Sequence, residues 1–563
     1  MIRIRGGKVY DPANGVNGEI RDVWIDGGKV VAAPAVAPAD VEIIEAEGMI
    51  VFPGGVDMHT HVAGSKENVG RKLRPEDHRD HLRSRKGVLR SGSGYTVPST
   101  FLSGYLYAEM GYTTVMEAAS APLLARHAHE ELDDLPMVDK GLLVTMGNNQ
   151  FIMDCIAKGE KERLRHYVSW LLEATRSYAI KIVNPGGVEN WKWGRNVAAL
   201  DDEVIGFEGV TPRKILEGLA EASRDLGLPH GIHVHGLNLG QPRSARTTVE
   251  TVAGLDGRGS HLCHLQFLSY QGKEEGHAFR SGARSVAEAV KTVRDLTFDV
   301  GQVVFGQATT MTSDGPLEFA LHQMTGHKWV NDDVEAESGG GVLPVLYDRK
   351  SRIGAEQWMT GLELFLLVDD PWRMALTTDH PNGGPFFCYP QVIRLLMDRD
   401  YRAEVLASLP PKALEGSLLP DLMREYDLFE IAIITRAAPA RILGLTEKGH
   451  LGVGADGDVA IYDRVNVDGT ACRCSRFQSC RRALSRVRHL VKGGRWVVRD
   501  GQIVEEVKGR TFYVAPGFDA SLEDHLKDYF ERTYTVAFDN YAMVDEELPL
   551  GEVIPCRRRN GSF

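Results

Sequence analysis

Between residues 50 and 440 the chain repeats one alternation: a short β-branched or apolar run, then a stretch with helical spacing such as 213–226. Parallel strands need a long crossover between them, and a helix is the usual one, so this alternation predicts βα units around a parallel sheet. Eight strand segments can be counted, at 52–62, 113–119, 141–147, 178–185, 230–236, 261–267, 297–306 and 373–381. Eight such units predict an α/β fold of the (β/α)8 TIM barrel type, with its chemistry at the C-terminal strand ends.

The two ends of the chain have a different texture. Ile2-Arg3-Ile4-Arg5 and Asp22-Val23-Trp24-Ile25 alternate apolar and polar residues, and so do His489-Leu490-Val491 and Arg495-Trp496-Val497-Val498, with Gly-rich turns nearby. Period-two alternation predicts strands. The expected organisation is therefore a small composite β-sandwich domain from 1–50 and 441–515, the barrel at 51–440, and a tail at 516–563 for packing or subunit contact.

Charge and cysteine usage narrow the function. With 65 Lys and Arg against 77 Asp and Glu, a net charge of -12, a nucleic-acid backbone is not the expected partner. No apolar run reaches membrane-spanning length and the first residues do not read as a signal peptide, so a cytoplasmic location is expected. Of seven cysteines, Cys155, Cys263 and Cys388 sit in apolar or strand-like segments and read as small hydrophobes. Cys472, Cys474 and Cys480, followed by His489, match no common zinc spacing and read as a reduced loop.

The chemistry begins at His59-Thr60-His61, at the end of the first predicted strand. Residues two apart on a strand share a face, so both imidazoles point to the barrel axis and can grip a metal. Lys181 lies inside the apolar run Ala179-Ile180-Lys181-Ile182-Val183. A buried amine is pushed toward its neutral form, which adds carbon dioxide to give a carbamate able to bridge two metals. His233-Val234-His235 places His235 nearer the mouth as a ligand and His233 behind it as an orienting or structural residue. His261 and His264, three apart, are expected on opposite faces, with His264 the ligand and His261 structural. Asp379 closes the eighth strand segment and completes a set of four histidines, one lysine and one aspartate that can hold two divalent metals, with Asp379 also the catalytic proton carrier.

These residues, in this order, resemble the amidohydrolase superfamily, in particular its binuclear members with a carboxylated lysine. The segments 435–445 and 448–458 resemble the passage that leads such barrels back into their composite β domain. The stretches 68–76, 104–114, 183–187 and 191–194 are similar, more narrowly, to the A subunits of formylmethanofuran dehydrogenase and the alpha subunits of formyltransferase/hydrolase complexes. That resemblance implies hydrolysis, or the reverse condensation, of the N-formyl amide of a furfurylamine-type carrier, methanofuran or methylofuran. It also implies partner subunits and two divalent ions, zinc being expected. Tyr105, Tyr107, Trp191 and Trp193, placed on loops, are candidates for an apolar slot, and Asn184 and Asn238 for orienting the formamide. Arg473, Arg476, Arg481, Arg482, Arg486 and Arg488 read as a solvated basic face, with an acidic carrier tail or partner as the other reading. A cyclic-amide hydrolase of hydantoinase or dihydroorotase type, and a non-catalytic scaffold subunit, remain open alternatives.

Overall fold

The computed structural model describes residues 1–80, 82–255, 258–272, 279–332, 340–463, 484–534 and 537–557. Cys472, Cys474 and Cys480, with Arg473, Arg476, Arg481 and Arg482, lie outside the described residues.

Eight parallel strands form the barrel: β1 (Gly55–Thr60), β2 (Tyr112–Ser120), β3 (Asp139–Thr145), β4 (Ala179–Val183), β5 (His233–His235), β6 (His261–Leu262), β7 (Thr297–Asp299) and β8 (Met374–Ala375). Each pairs in parallel with the next. The ring closes where Thr60 bridges His380 and His61 N donates to His380 O at 2.7 Å. Helices cover the outside, so the strands are buried on both faces; every residue of β3 and β4 is buried, Lys181 included. Helix Pro212–Asp225 shows how the cover is made. Thr211 caps it, a proline opens it, and Ile215, Leu216 and Leu219 bury one face. Each such side chain contributes about 1.5–3 kcal/mol of apolar burial.

Both termini build a second, mixed sheet of nine strands in which Ile50–Pro53 lies between Ile2–Asp11 and Val459–Tyr462. It has its own core, including Ile4, Ile25, Ile44, Val51, Val459 and Val491. Buried charges join it to the bottom of the barrel. Asp139 at the start of β3 pairs with Lys448, with Lys492 at 2.7 Å and with Arg510 at 3.1 Å, while Asp458 pairs with Lys448 at 2.6 Å and with Lys492 at 3.2 Å. Asp456 meets Lys448 at 2.8 Å and also pairs with Arg510.

Two additions modify the barrel. Thr511–Tyr513 runs parallel to the lower end of β3, with Thr511 opposite Lys140, and Gly551–Val553 pairs with it in turn. Above β7, Gly306–Thr312, Val330–Asp332 and Gly340–Tyr347 form a small antiparallel sheet accompanied by helix Gly315–Thr325. Among the described residues no helix is long and apolar enough to cross a membrane.

Candidate metal centre

Six side chains from five strand ends, His59, His61, Lys181, His235, His264 and Asp379, line one cavity of about 650 Å³ at the C-terminal face of the barrel. All six are more than nine-tenths buried. The backbone works to bring them there. His264 (φ 38°) and Asp379 (φ 50°) sit in the left-handed region, as do Asn184 (φ 39°) and Asn238 (φ 59°) just beyond β4 and β5. Such conformations in non-glycine residues collect at functional sites and persist only where the surroundings enforce them. Gly301 makes room: a Cβ there would stand 2.5 Å from His264 Cβ.

His59 Nε2 lies 3.1 Å from Asp379 Oδ1, and His61 Nε2 lies 3.3 Å from the same oxygen. The His59 contact does not have hydrogen-bond geometry, leaving His59 Nε2 a buried nitrogen without a partner. His264 Nδ1 is likewise buried and unpartnered. Two imidazole nitrogens converging on one carboxylate oxygen, with a further buried nitrogen unpartnered on His264, suit a metal-ligand set, and the residues are compatible with two divalent ions of the kind bound by imidazole and oxygen. Lys181 Nζ donates to Cys263 Sγ at 3.1 Å.

Carboxylates behind these imidazoles orient them. His59 Nδ1 meets Asp299 Oδ2 at 3.0 Å, and His61 Nδ1 meets Glu117 Oε1 at 2.8 Å. Asp299 also faces His261 Nε2 at 3.1 Å and accepts from His264 N at 2.7 Å. Glu117 accepts from Val62 N and Ala63 N. His233 Nε2 lies 3.0 Å from His59 Nδ1, so His233 stands behind His59. His235 Nε2 faces Asp314 Oδ2 at 3.2 Å. A ligand imidazole whose other nitrogen faces a carboxylate has its tautomer and orientation fixed.

The charge states follow from this arrangement. Burial opposes a charge on His59, but Asp299 and Asp379 outweigh it and hold the imidazolium well above its ordinary range. Burial likewise opposes His61, while Asp379 and Glu117 lift it to about 9. Burial lowers His235 against the pull of Asp314, and burial, joined by the neighbouring cations and only partly opposed by Asp379, holds His264 well below the usual value. For Asp379, burial acts upward, yet His59 and His264 beside it pull the carboxyl well below its ordinary range.

His261 and His264 depart from the expected opposite faces. β6 ends at Leu262 and His264 adopts a left-handed backbone, so strand alternation no longer governs it. Both rings turn inward: His261 stacks on His233 at 4.6 Å, and His264 lies 5.2 Å from His59.

The candidate substrate residues sit away from the cavity lining. Tyr105 and Tyr107 are on helix Thr100–Met110 and not on a loop, because that segment packs as a helix against β2. Tyr107 donates to Asp57 Oδ2 at 2.8 Å and Tyr105 to Glu506. Trp191 packs on Phe319, and Trp193 is 64% exposed. Asn184 donates to Asp314 Oδ1 at 2.9 Å and Asn238 to Ala198 O at 2.7 Å, so both brace loops. The apolar wall comes instead from Phe267, Phe279, Met311, Leu317, Leu321 and Tyr347, four of them in the insertion above β7. Glu67 also lines the cavity; burial and the neighbouring Glu117 raise it to about 8, which keeps it protonated at neutral pH. Sequence reasoning missed Glu117 and Asp299, whose one available signal was a lone carboxylate inside a buried strand.

The amidohydrolase family's sequence model matches residues 42–498. The chain is 46% identical over 562 residues to Protein FwdA of Methanocaldococcus jannaschii, covering 96% of each chain. It is 38% identical over 557 residues to the A component of the formyltransferase/hydrolase complex Fhc of Methylorubrum extorquens, covering 98% of this chain and 97% of that one. A crystal structure of that complex with methylofuran superposes with a TM-score of 0.90 at 37% identity, covering 99% of this chain and 100% of the other. With the family match spanning most of its length, this chain belongs to the amidohydrolase family.

Proposed function

We propose that this chain hydrolyses, or in reverse condenses, the N-formyl amide of a furfurylamine-type one-carbon carrier, as one member of a larger complex. The observation that carries the reading is the convergence of six ligand-type side chains on one cavity whose lining is otherwise largely apolar. Relatives named for the formyltransferase/hydrolase complex, one of them solved with methylofuran, support the choice of carrier.

His59, His61 and Asp379 would hold one ion, His235 and His264 the other, and a carbamate on Lys181 would bridge them; zinc suits this donor set. Ions so held would make water nucleophilic at neutral pH and polarise the formyl oxygen. Asp379 takes the proton from the attacking water and passes it to the leaving nitrogen, without which an amine departs poorly. Formate and the free amine result. The apolar wall receives the aromatic part of the carrier, and protonated Glu67 offers a neutral donor at its edge.

The test is release of formate from a formylated furfurylamine, measured beside ring opening of a hydantoin. Asp379→Asn should keep much of its metal while turnover falls by about 10²–10⁴-fold, the usual worth of a general acid–base. Near-normal turnover in that variant, or ring opening as the faster reaction, would overturn the proposal.

A further inference from the structure

A line of three imidazoles runs from the cavity into the barrel core. His59 lines the cavity, and His233 and His230 follow behind it; none of the three is more than 1% exposed. His233 Nε2 lies 3.0 Å from His59 Nδ1, His230 Nε2 lies 3.1 Å from His233 Nδ1, and His230 Nδ1 lies 2.9 Å from Ile442 O. Ile442 is in the last turn of helix Ala438–Leu443, where carbonyls have no partner inside the helix, and Tyr178 donates to the next one, Leu443 O, at 2.6 Å. Packing alone does not account for the line, because apolar side chains would fill the same space with no buried nitrogen to satisfy.

The far end of the line sets its direction. A carbonyl oxygen only accepts, so the proton of His230 sits on Nδ1, and a neutral ring then leaves Nε2 bare. His233 therefore donates from Nδ1, its own Nε2 becomes an acceptor, and His59 donates from Nδ1. That leaves a lone pair on His59 Nε2, the nitrogen 3.1 Å from Asp379 Oδ1. Asp299 Oδ2, 3.0 Å from the same His59 Nδ1, calls for the proton at the same place, so two separate acceptors agree. We infer that His230 is a positioning residue: acting through His233, it holds His59 in the tautomer whose Nε2 can bind a metal, with the Ile442 carbonyl as the fixed end. All three rings then carry their proton on Nδ1, against the preference of neutral imidazole in water for Nε2. With no acceptor at His230, His233 could turn its proton toward His59 and set two donors face to face.

This role rests on the metal-centre reading above, and the experiment separates the two. Neutron diffraction from deuterium-exchanged crystals of the full-length chain, metal-free and zinc-loaded, locates the protons directly. Deuterium on Nδ1 alone is expected for His230 and His233 in both forms, and on Nδ1 of His59, with zinc at Nε2, in the loaded form. Deuterium on Nε2 of His230 or His233 overturns the inference. The expected protons in a chain that takes up no zinc support the order of the line and overturn the metal-centre reading. Chelator competition with zinc gives a second readout. His230→Phe keeps a ring of similar size but removes the acceptor, and should weaken the first metal position roughly ten- to a hundred-fold. His230→Gln can still donate to Ile442 O and accept from His233, so its zinc affinity should stay close to wild type. Wild-type affinity in folded His230→Phe, or equal loss in both variants, overturns the inference; should neither variant fold, the neutron maps of the parent chain decide.

Discussion

Replacing Asp299 by Asn removes no bulk and one charge, yet the surroundings of this residue leave the amide no good orientation. Oδ2 serves His59 Nδ1 at 3.0 Å and His261 Nε2 at 3.1 Å, and Oδ1 accepts from His264 N at 2.7 Å. Burial acts to raise this carboxyl, but His59 and His261 outweigh it and keep it ionised. If the amide carbonyl faces His264 N, the NH2 donates to His59 Nδ1 and drives the imidazole proton to Nε2, the nitrogen aimed at Asp379. If the amide flips, two donors face each other at His264 N, at a cost of about 1–3 kcal/mol. Either way the first metal position loses affinity by roughly ten- to a hundred-fold, which is about 1.4–2.8 kcal/mol at 25 °C. Chelator competition with zinc on wild type and Asp299→Asn measures this directly, with circular dichroism to establish that the fold is kept. Unchanged zinc affinity in a folded variant would mean that Asp299 does not set the His59 tautomer, and the reasoning would be refuted.

Metal uptake should be strongly pH-dependent. The metal must displace protons from His61, lifted to about 9, and from His59, held well above its ordinary range, so affinity rises with pH through the neutral range. Calorimetric titrations from about pH 6 to about pH 8 should show about a tenfold gain per unit for each proton displaced, with protons released to buffer. A flat profile would contradict the charge states derived for His59 and His61. At the barrel floor, Asp139→Asn leaves three buried or half-buried cations, Lys448, Lys492 and Arg510, facing two carboxylates, Asp456 and Asp458. Uncompensated buried charge of this kind destabilises by about 3–5 kcal/mol. The wild-type carboxyl is held well below its ordinary range, so the effect is complete at neutral pH and shrinks in acid, where Asp139 itself protonates. Denaturant melts at both pH values check it, and a midpoint shift that does not depend on pH would count against the charge argument.

The barrel was legible because strands covered on both faces need continuous apolar runs, and segments such as Ala179-Ile180-Lys181-Ile182-Val183 show little else. The same rule made Lys181 stand out. The inward-facing candidate residues could be read from spacing where the strand persists, as at His59 on β1 and His61 one residue past its end. Spacing gave no such guide at His264, where the backbone turns left-handed two residues beyond the end of β6. The insertion above β7 escaped notice because its strands hold Thr309-Thr310-Met311-Thr312 and Gly340-Gly341, with no clean alternation to mark them. The apolar wall went with it, since its residues come together from 267 to 347 and share no local pattern. Asp299 and Glu117 are single carboxylates whose partners lie far away in the chain, and no spacing rule connects such pairs.

The strand Thr511–Tyr513, wedged against the lower end of β3, bears on how the protein can be made. Arg510 N donates to Asp139 across a separation of 371 residues, and Gly551–Val553 secures the wedge from its other edge. A ribosome delivers β3 early, but the neighbour that completes its lower half emerges only after every other barrel strand. Until then the floor of β3 presents unpaired amides and carbonyls along one edge. Sheet edges left open during synthesis invite pairing with other chains. Final closure of the barrel floor is thus a late step in biosynthesis, and removing residues beyond 510 would leave a nascent chain with all six candidate metal residues on an unfinished base.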